Sequence, residues 1–496
     1  MTRVIETSSS HRKEDIIDSF LLLFLSLLTL VFLSPSITKG EKGISFLYNE
    51  SLPLYVLIPS YVLFIIASFF FIHSRKKVSG ERISPLLLSF YGIFLLFRAI
   101  SLFSFPYGEI SYEIHVFDQT GSFLYPGFAI GERFLSFFND VFLGLFYLLF
   151  FSYLKTFSSS FMEKTTRYLS YLLEIIVITM VLYSFLKEGS GYVHNFEVLF
   201  LGKQDEELNL GICSYTSYRN VYGFFLLLGN LVAQSEMFRK PNLFYLFLIP
   251  ITLFVSFLVF SRTPFLLSAA SDTVFVVLFT VFYGRKYKKQ NILGLSISFA
   301  FVILLIVFAI INPGMFAFWD SLLSNNSSLQ GRRGHILFSL AFLTYSPYTF
   351  CFGYNLRPYQ AILIQAKTEA IPYEVLPYSH LIYLDMLLEW GLFVFFLFVY
   401  IYLFFFASTL HSIIKRKNIN LLGYFLFLLV SMVYGFFEPR GWMMNDNSTI
   451  LFTFFLLTPL TYYTKDYLQT LEDIFDNILF DLSRYKEHKK LKKEIE

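Results

Sequence analysis

The sequence 380-HLIYLDMLLEWG-391 opens an apolar run that continues to position 406, long enough to cross a bilayer as a helix. Earlier in the chain, 330-QGRRGHILFSL-340 places Arg332 and Arg333 before Leu337. On a helix, Leu337 shares a face with Arg333, and Gly391, almost three turns further on, shares a face with His380. A glycine there predicts close packing by a second helix. The pattern predicts a polar site at a membrane surface; the alternative is a loop with an anchoring arginine pair and a capping histidine.

The composition is that of an integral membrane protein. Of the 496 residues, 55% are hydrophobic and only 15% are charged, whereas soluble domains carry about 25% charged residues. The apolar runs are ~20 residues long, which suits membrane-spanning helices. We therefore expect an all-α polytopic membrane protein whose spans form one bundle.

Roughly twelve spans follow from the apolar runs. The large connection between the ninth and tenth spans, about 312–379, far exceeds ordinary loop lengths. We expect one bundle over 1–464 that includes this loop, and an amphipathic tail over 465–496. The expected spans are 16–35, 53–73, 85–105, 134–154, 168–186, 219–234, 243–260, 265–283, 292–311, 380–406, 421–437 and 448–463.

Every second loop is basic, which predicts that both termini are cytoplasmic. The long loop then lies outside the cytoplasm. Arg262, Arg333 and His380 share that side, although they are far apart in the sequence. This placement favours a common polar site on the outer face.

Several charged residues fall inside the expected spans. A charge at the bilayer centre costs ~3 kcal/mol or more, so such residues are functional candidates. We interpret Asp385 and Glu389, one turn apart, as partners for an arginine in the bundle interior. The others are Arg98, Glu174 and Asp272.

Several kinds of chemistry are excluded because their sequence motifs are missing. The chain has no C-x-x-C, H-E-x-x-H, G-x-G-x-x-G or G-x-x-x-x-G-K sequence, so neither a metal nor a cofactor is expected. The remaining candidates for chemistry are the arginines and the histidine at the predicted outer face. Arginine binds phosphate through two parallel hydrogen bonds, and histidine transfers protons near neutral pH. Together they fit a lipid-linked pyrophosphate donor attacked by a hydroxyl group.

These residues resemble the signature of the O-antigen polymerase and ligase family (Wzy and WaaL type). The resemblance rests on Arg262 in its Ser-Arg turn, Arg333 in R-x3-L and His380 in H-x10-G. Two further segments are similar to the family, Tyr218-Arg219-Asn220-Val221-Tyr222-Gly223 and Gly353-Tyr354-Asn355. The resemblance extends over about 210–440, roughly half of the chain.

The resemblance implies glycan transfer from undecaprenyl pyrophosphate at the outer face, without metal or nucleotide. His380 would activate the acceptor hydroxyl, and the arginines Arg262, Arg333, Arg332 and Arg219 would bind the pyrophosphate. Asp385, Glu389, Tyr354 and Arg98 would support the site. Leu381 stands where the family often has asparagine, and Leu337 and Phe338 where it often has tryptophan. The choice between Arg332 and Arg333 therefore stays open.

The resemblance leads us to expect a polymerase of O-antigen, capsule or exopolysaccharide in a bacterial inner or plasma membrane. Its expected partners are lipid-linked donor and acceptor oligosaccharides, the bilayer, and a chain-length regulator and flippase of the same pathway, with no nucleic acid. A ligase that moves the glycan to another acceptor is the nearest alternative. A flippase for the lipid-linked unit is the alternative from another class, although a transporter places polar residues along a path at mid-membrane.

The alternation of basic loops predicts that Lys286 and Lys415 face the cytoplasm while Asn325 and Glu374 face outside. Single cysteines at these positions, in a chain whose Cys213 and Cys351 are replaced by serine, test this with an impermeant thiol reagent. In intact cells only positions 325 and 374 should react. Labelling of position 286 would contradict the topology and the common outer site.

Overall fold

The computed structural model describes the helical bundle in separate pieces. The main ranges are 83–103, 110–116, 119–125, 159–200, 208–209, 211–214, 219–290, 346–354, 363–364, 381–437 and 459–478. Between these ranges it describes single positions in 62–73, 134–152, 292–310 and 336–343, and at 481. Arg332, Arg333 and His380 lie outside the described residues.

In the described part of the chain, eight helices before the tail and three strands have defined bounds. The helices are α1 (Pro85–Ser101), α2 (Ser159–Phe200), α3 (Arg219–Arg239), α4 (Leu243–Val259), α5 (Arg262–Tyr283), α6 (Pro347–Phe352), α7 (Ile382–Arg416) and α8 (Leu422–Tyr434). The strands are β1 (Ile110–Val116), β2 (Gln119–Tyr125) and β3 (Leu363–Ile364). A short 3₁₀ turn, Ile419–Leu421, leads into α8.

Helix α3 lies at the centre of the bundle. Every residue from Val221 to Phe238 is buried, because α2, α4, α5 and α8 all pack against it. Its apolar residues are distributed all round the helix, as expected for a helix without a free face. Both ends of α3 are therefore fixed in position by the four helices that surround it.

Helix α2 is longer than the predicted span 168–186. It bends at Glu188 (φ −120°, ψ 19°) and continues to Phe200. The part after the bend buries Asn195, Leu199 and Phe200 completely. Asn195 donates hydrogen bonds to the carbonyl oxygens of Asn209 at 3.0 Å and Leu258 at 2.9 Å. The predicted loop thus begins after Phe200, because packing against α4 and residues 208–209 keeps this polar stretch helical.

Helix α7 is interrupted at Gly391, whose φ of 76° and ψ of 174° are not helical. Gly353, with a φ of 74°, follows α6 and crosses the break. A Cβ atom on Gly391 would lie 2.5 Å from the Gly353 nitrogen, and one on Gly353 would lie 2.5 Å from the Glu389 carbonyl oxygen. Two backbones therefore pass each other where no side chain fits.

The predicted common helical face of His380 and Gly391 fails at Gly391, whereas His380 lies outside the described residues. That prediction assumed one regular helix through both residues. The helix begins only at Ile382, after Leu381 in an extended conformation, and it breaks at Gly391. The segment between them, Ile382–Trp390, is a separate short helix held at both ends.

A small antiparallel sheet connects two segments that we expected outside the membrane. Strands β1 and β2 form a hairpin in which Val116 pairs with Gln119. Leu363 of β3, in the long loop, pairs with Leu124 of β2. The long loop is thereby joined to the chain that follows α1. The apolar pattern of the sequence does not predict these strands.

The helices are those of a membrane protein, and the predicted helical membrane fold is confirmed at that level. Four of the described helical stretches are long and apolar enough to span a bilayer: Thr166–Phe200, Arg219–Arg239, Arg262–Tyr283 and Ile382–Arg416. Three shorter apolar helices accompany them, Pro85–Ser101, Leu243–Val259 and Ile419–Tyr434. Several of the twelve predicted spans and most of the long loop lie outside the described part of the chain.

The predicted tail begins with a helix at 465–478. Arg416, at the end of α7, forms a 2.6 Å ion pair with Asp466. His411 of α7 forms a hydrogen bond with the Tyr467 hydroxyl. The first turn of this helix is thus attached to the end of α7, while Ile474 and Ile478 further along are exposed.

Gly391→Ala should destabilise the protein strongly, because alanine is strained at this φ and its Cβ would overlap the backbone of Gly353. We expect a loss of at least ~2 kcal/mol, seen as a lower unfolding temperature of the purified chain. Gly92→Ala is the matched control, because a Cβ there meets nothing within 4 Å. Equal unfolding temperatures for both variants would contradict this description of the crossing.

Candidate functional site

Two arginine-bearing helix starts lie side by side. Arg219 is the first residue of α3 and Arg262 the first residue of α5. One turn into α3, Gly223 faces the turn before α5: a Cβ there would lie 2.5 Å from the Ser261 Cβ and 3.1 Å from the Pro264 Cγ. The glycine of the Tyr-Arg-Asn-Val-Tyr-Gly segment therefore brings the two predicted arginines into one neighbourhood.

Both helix starts suit an anion. Helices α3 and α5 point their N-terminal ends to the same region, and the first N–H groups of a helix attract negative charge. Both arginine side chains are half-buried. The Arg262 guanidinium carbon lies 5.7 Å from the centre of the Phe260 ring, within cation–π range. Phe260 adopts a left-handed conformation (φ 53°) that ends α4 and turns the chain into α5.

The start of α7 is joined to this region through α8. The Ile382 N–H donates a 3.0 Å hydrogen bond to the carbonyl oxygen of Gly435, just after α8. Next to Gly435, the Tyr434 ring lies 5.4 Å from the ring of Phe224 in α3. The chain that leaves His380 is therefore fixed to the same end of α3 that carries Arg219. The positions of His380 itself and of Arg332 and Arg333 are not among the described residues.

Glu188 fixes the loop that precedes α3. Its Oε2 accepts hydrogen bonds from the N–H groups of Cys213 at 3.2 Å and Ser214 at 3.1 Å. Burial raises the pKa of the Cys213 thiol, and the Glu188 carboxylate raises it further. The thiol is therefore kept protonated and unreactive. The Tyr192 hydroxyl donates to the Tyr222 hydroxyl at 3.2 Å, which links the same bend of α2 to α3.

A buried arginine holds the break in α7. Arg98 of α1 is fully buried, and its Nε lies 2.5 Å from the Asp140 Oδ2. Its Nη1 donates a 2.9 Å hydrogen bond to the carbonyl oxygen of Glu389. The Tyr354 N–H donates a 2.7 Å hydrogen bond to the carbonyl oxygen of Leu388, the residue before Glu389. These donors serve carbonyls at the end of a helical segment, where the intrahelical donors are missing.

The sequence prediction singled out Arg98 and Glu389 but missed the carboxylate that pairs with Arg98. Asp385 and Glu389 are buried, at 1% and 3% exposed, as expected for interior residues. Arg98 contacts Glu389 through the main-chain oxygen of that residue, and it forms its ion pair with Asp140. Asp140 lies in the expected span 134–154, so an intramembrane carboxylate was the signal that could have revealed it.

Other polar groups lie in the interior of the bundle. Gln234 Nε2 donates to Asp272 Oδ1 at 2.7 Å, and Asn230 Nδ2 lies 3.4 Å from Asp272 Oδ2. Gln234 also donates to the Ser271 hydroxyl at 3.0 Å. Within the described ranges, no three His, Cys, Asp or Glu side chains form a group that could hold a metal ion.

Comparison of the chain with protein-family models, with curated proteins and with solved structures gives no match. The class that the fold defines is a helical integral membrane protein. In this membrane protein, two helices that begin with an arginine start next to each other at one end of the bundle. The family resemblance remains a prediction from the sequence motifs.

Arg98→Met should destabilise the protein by ~3–5 kcal/mol, because it removes the cation that pairs with the buried Asp140. The unfolding temperature of the full-length purified chain measures this. The double variant Arg98→Met with Asp140→Leu should recover part of the loss, since no buried charge remains.

Arg167→Met is the matched control, because the Arg167–Glu163 ion pair has a similar length, 2.7 Å, but is exposed. An exposed pair contributes only ~0–1 kcal/mol. Equal losses for Arg98→Met and Arg167→Met would show that Arg98 does not hold the break in α7.

Proposed function

We propose that the chain is a polysaccharide polymerase that joins undecaprenyl-pyrophosphate-linked oligosaccharide units at the outer face of a bacterial membrane. The observation that carries this proposal is the contact of Gly223 with Ser261, which sets Arg219 beside Arg262. Two guanidinium groups and two helix starts form a region of positive potential suited to a pyrophosphate. The twelve-span topology, with its long outer loop, is part of the proposal.

The pyrophosphate of the donor is the leaving group. Arg219 and Arg262, with Arg332 or Arg333 from the long loop, bind its oxygens and stabilise the negative charge that grows as the glycosidic C–O bond breaks. Arginine suits this task because its planar fork makes paired hydrogen bonds and stays charged. The main contribution of these residues is therefore electrostatic.

His380 acts on the acceptor. It takes the proton from a sugar hydroxyl of the second lipid-linked unit while that oxygen attacks the anomeric carbon of the donor. The new C–O bond forms on the side opposite the pyrophosphate, so a single displacement inverts the anomeric centre. No metal or cofactor takes part in the proposed step.

The break in α7 has a role in this mechanism. His380 stands two residues before the short helix Ile382–Trp390, whose start is bonded to Gly435 and whose end is bonded to Arg98. A helix held at both ends keeps the preceding residue in place, and catalysis is sensitive to displacements of about 1 Å. Arg98, Tyr354 and Glu389 are accordingly positioning residues; Asp385, buried in the same short helix, belongs to that support.

A flippase is the second candidate function, and one observation favours it. Gln234, Asn230 and Asp272 form a hydrogen-bonded polar group in the bundle interior, where a transport path would pass. A ligase would use the same outer site with a different acceptor. The lipid-linked products that accumulate without the protein distinguish these three functions.

Cells that carry Arg262→Ala or His380→Ala in place of the normal chain should accumulate single lipid-linked repeat units on the outer leaflet. Loss of a general base lowers the rate by ~10²–10⁴, so little polymer should remain. The measurement is the size of the extracted lipid-linked pool and its accessibility to an impermeant lectin.

Arg285→Ala is the matched control, because Arg285 is an exposed residue just beyond the other end of α5. It should make normal polymer. Long lipid-linked chains in the Arg262→Ala or His380→Ala strain would identify a ligase instead, and single units trapped inside would identify a flippase.

A further inference from the structure

Glu174 is a carboxylic acid enclosed in the helical bundle. It lies on α2, is 1% exposed, and faces α3 at Gly229, where a Cβ would come within 3.4 Å of the Glu174 Oε2. Both carboxyl oxygens are buried without a hydrogen-bond partner in the described structure. The outer site does not use this group, because Gly229 lies ~15 Å along α3 from Arg219 at 1.5 Å per residue.

The nearest charged neighbours on α3 are engaged with each other. Glu236 accepts a 2.8 Å hydrogen bond from the Ser170 hydroxyl and forms a 3.0 Å ion pair with Arg239. The Arg239 charge is thus directed to Glu236, whose carboxylate repels a negative charge on Glu174. Glu174 therefore receives no compensating positive charge from α3.

Among the described residues of the other helices, the neighbours of Glu174 supply no positive charge either. Tyr245 of α4 interacts electrostatically with Glu174 and Glu236, and its own hydroxyl is buried without a hydrogen-bond partner. Its ring stacks on that of Tyr171 at 6.1 Å. At the exposed start of α2, Arg167 pairs with Glu163.

An ionised carboxylate in such surroundings is strongly disfavoured, whereas the neutral acid is tolerated far better. We propose that Glu174 is a proton-binding site inside the membrane, and that Glu236 and Arg239 connect it to the end of α3. The bound ligand is a proton, because a metal ion would require several oxygen ligands and Glu236 is already engaged. This inference does not depend on the proposed polymerase activity.

Asp272 shows what a different environment does to a carboxyl group in the same bundle. Its two oxygens face amide donors of Gln234 and Asn230 at 2.7 and 3.4 Å. Burial favours the neutral acid at Asp272, and hydrogen bonds from such donors partly oppose that effect. Glu174 has no such donor among the described residues, so the two groups should differ in chemical reactivity.

The test uses the full-length protein reconstituted in lipid vesicles and treated with dicyclohexylcarbodiimide. This apolar reagent adds to a protonated carboxyl group: the acid proton moves to a carbodiimide nitrogen, and the carboxyl oxygen bonds to the central carbon before rearranging to a stable N-acylurea. Peptide mass spectrometry should locate the adduct on Glu174 at mildly acid pH. Labelling should decrease as the pH rises, while the exposed Glu163 remains much less labelled.

Two variants sharpen the test. Glu174→Gln should abolish the main adduct and leave the unfolding temperature unchanged, since glutamine mimics the neutral acid. Glu236→Gln should move the loss of Glu174 labelling to lower pH, because it removes a negative charge that favours the protonated form. The labelling of the unsubstituted protein decides the matter even if a variant fails to fold.

Three outcomes would overturn the proposal. Glu174 could stay unlabelled at every pH until the protein is denatured, which would mean that protons do not reach it. Labelling that is independent of pH would mean that Glu174 does not titrate. Protection by sodium ions at constant pH would mean that the site binds a metal cation rather than a proton.

Discussion

The three-way contact of Arg98, Asp140 and the Glu389 carbonyl is the interaction on which the arrangement around the broken helix α7 depends. It joins α1, the helical stretch around Asp140 and the broken helix α7. Gly353 and Gly391 permit this arrangement, because only glycine allows the two backbones to cross so closely. A buried charge is costly, so its presence here indicates a geometry that the protein must maintain.

A series of contacts connects this interaction to the candidate site at the starts of α3 and α5. The segment Ile382–Trp390 is held by Arg98 at one end and by Gly435 at the other. Gly435 follows α8, which packs on α3 through Tyr434 and Phe224. Helix α3 in turn fixes α5 through Gly223 and Ser261. Residues far apart in the sequence are thus positioned by a short series of contacts around the buried helix α3.

The sequence predicted the helical membrane fold and the interior placement of Arg98, Asp385 and Glu389, because apolar length and charge are local properties. It did not predict the break at Gly391. A glycine inside an apolar run is compatible with a continuous helix, and the break depends on Gly353, which approaches from a distant segment. The pairing of Leu363 with Leu124 is non-local in the same way. The ion-pair partner of Arg98 could not be predicted from the sequence either, because Asp140 lies in a different expected span and only the fold brings the two residues together.

The most direct measurement is polymerisation by the purified full-length protein in lipid vesicles. The substrate is the lipid-linked oligosaccharide extracted from cells that lack the protein. The enzyme alone should convert single units into a ladder of longer lipid-linked chains, and the Arg262→Ala protein should leave them as single units. If the normal protein leaves the single units unchanged in length while moving them across the bilayer, the proposed polymerase function is contradicted.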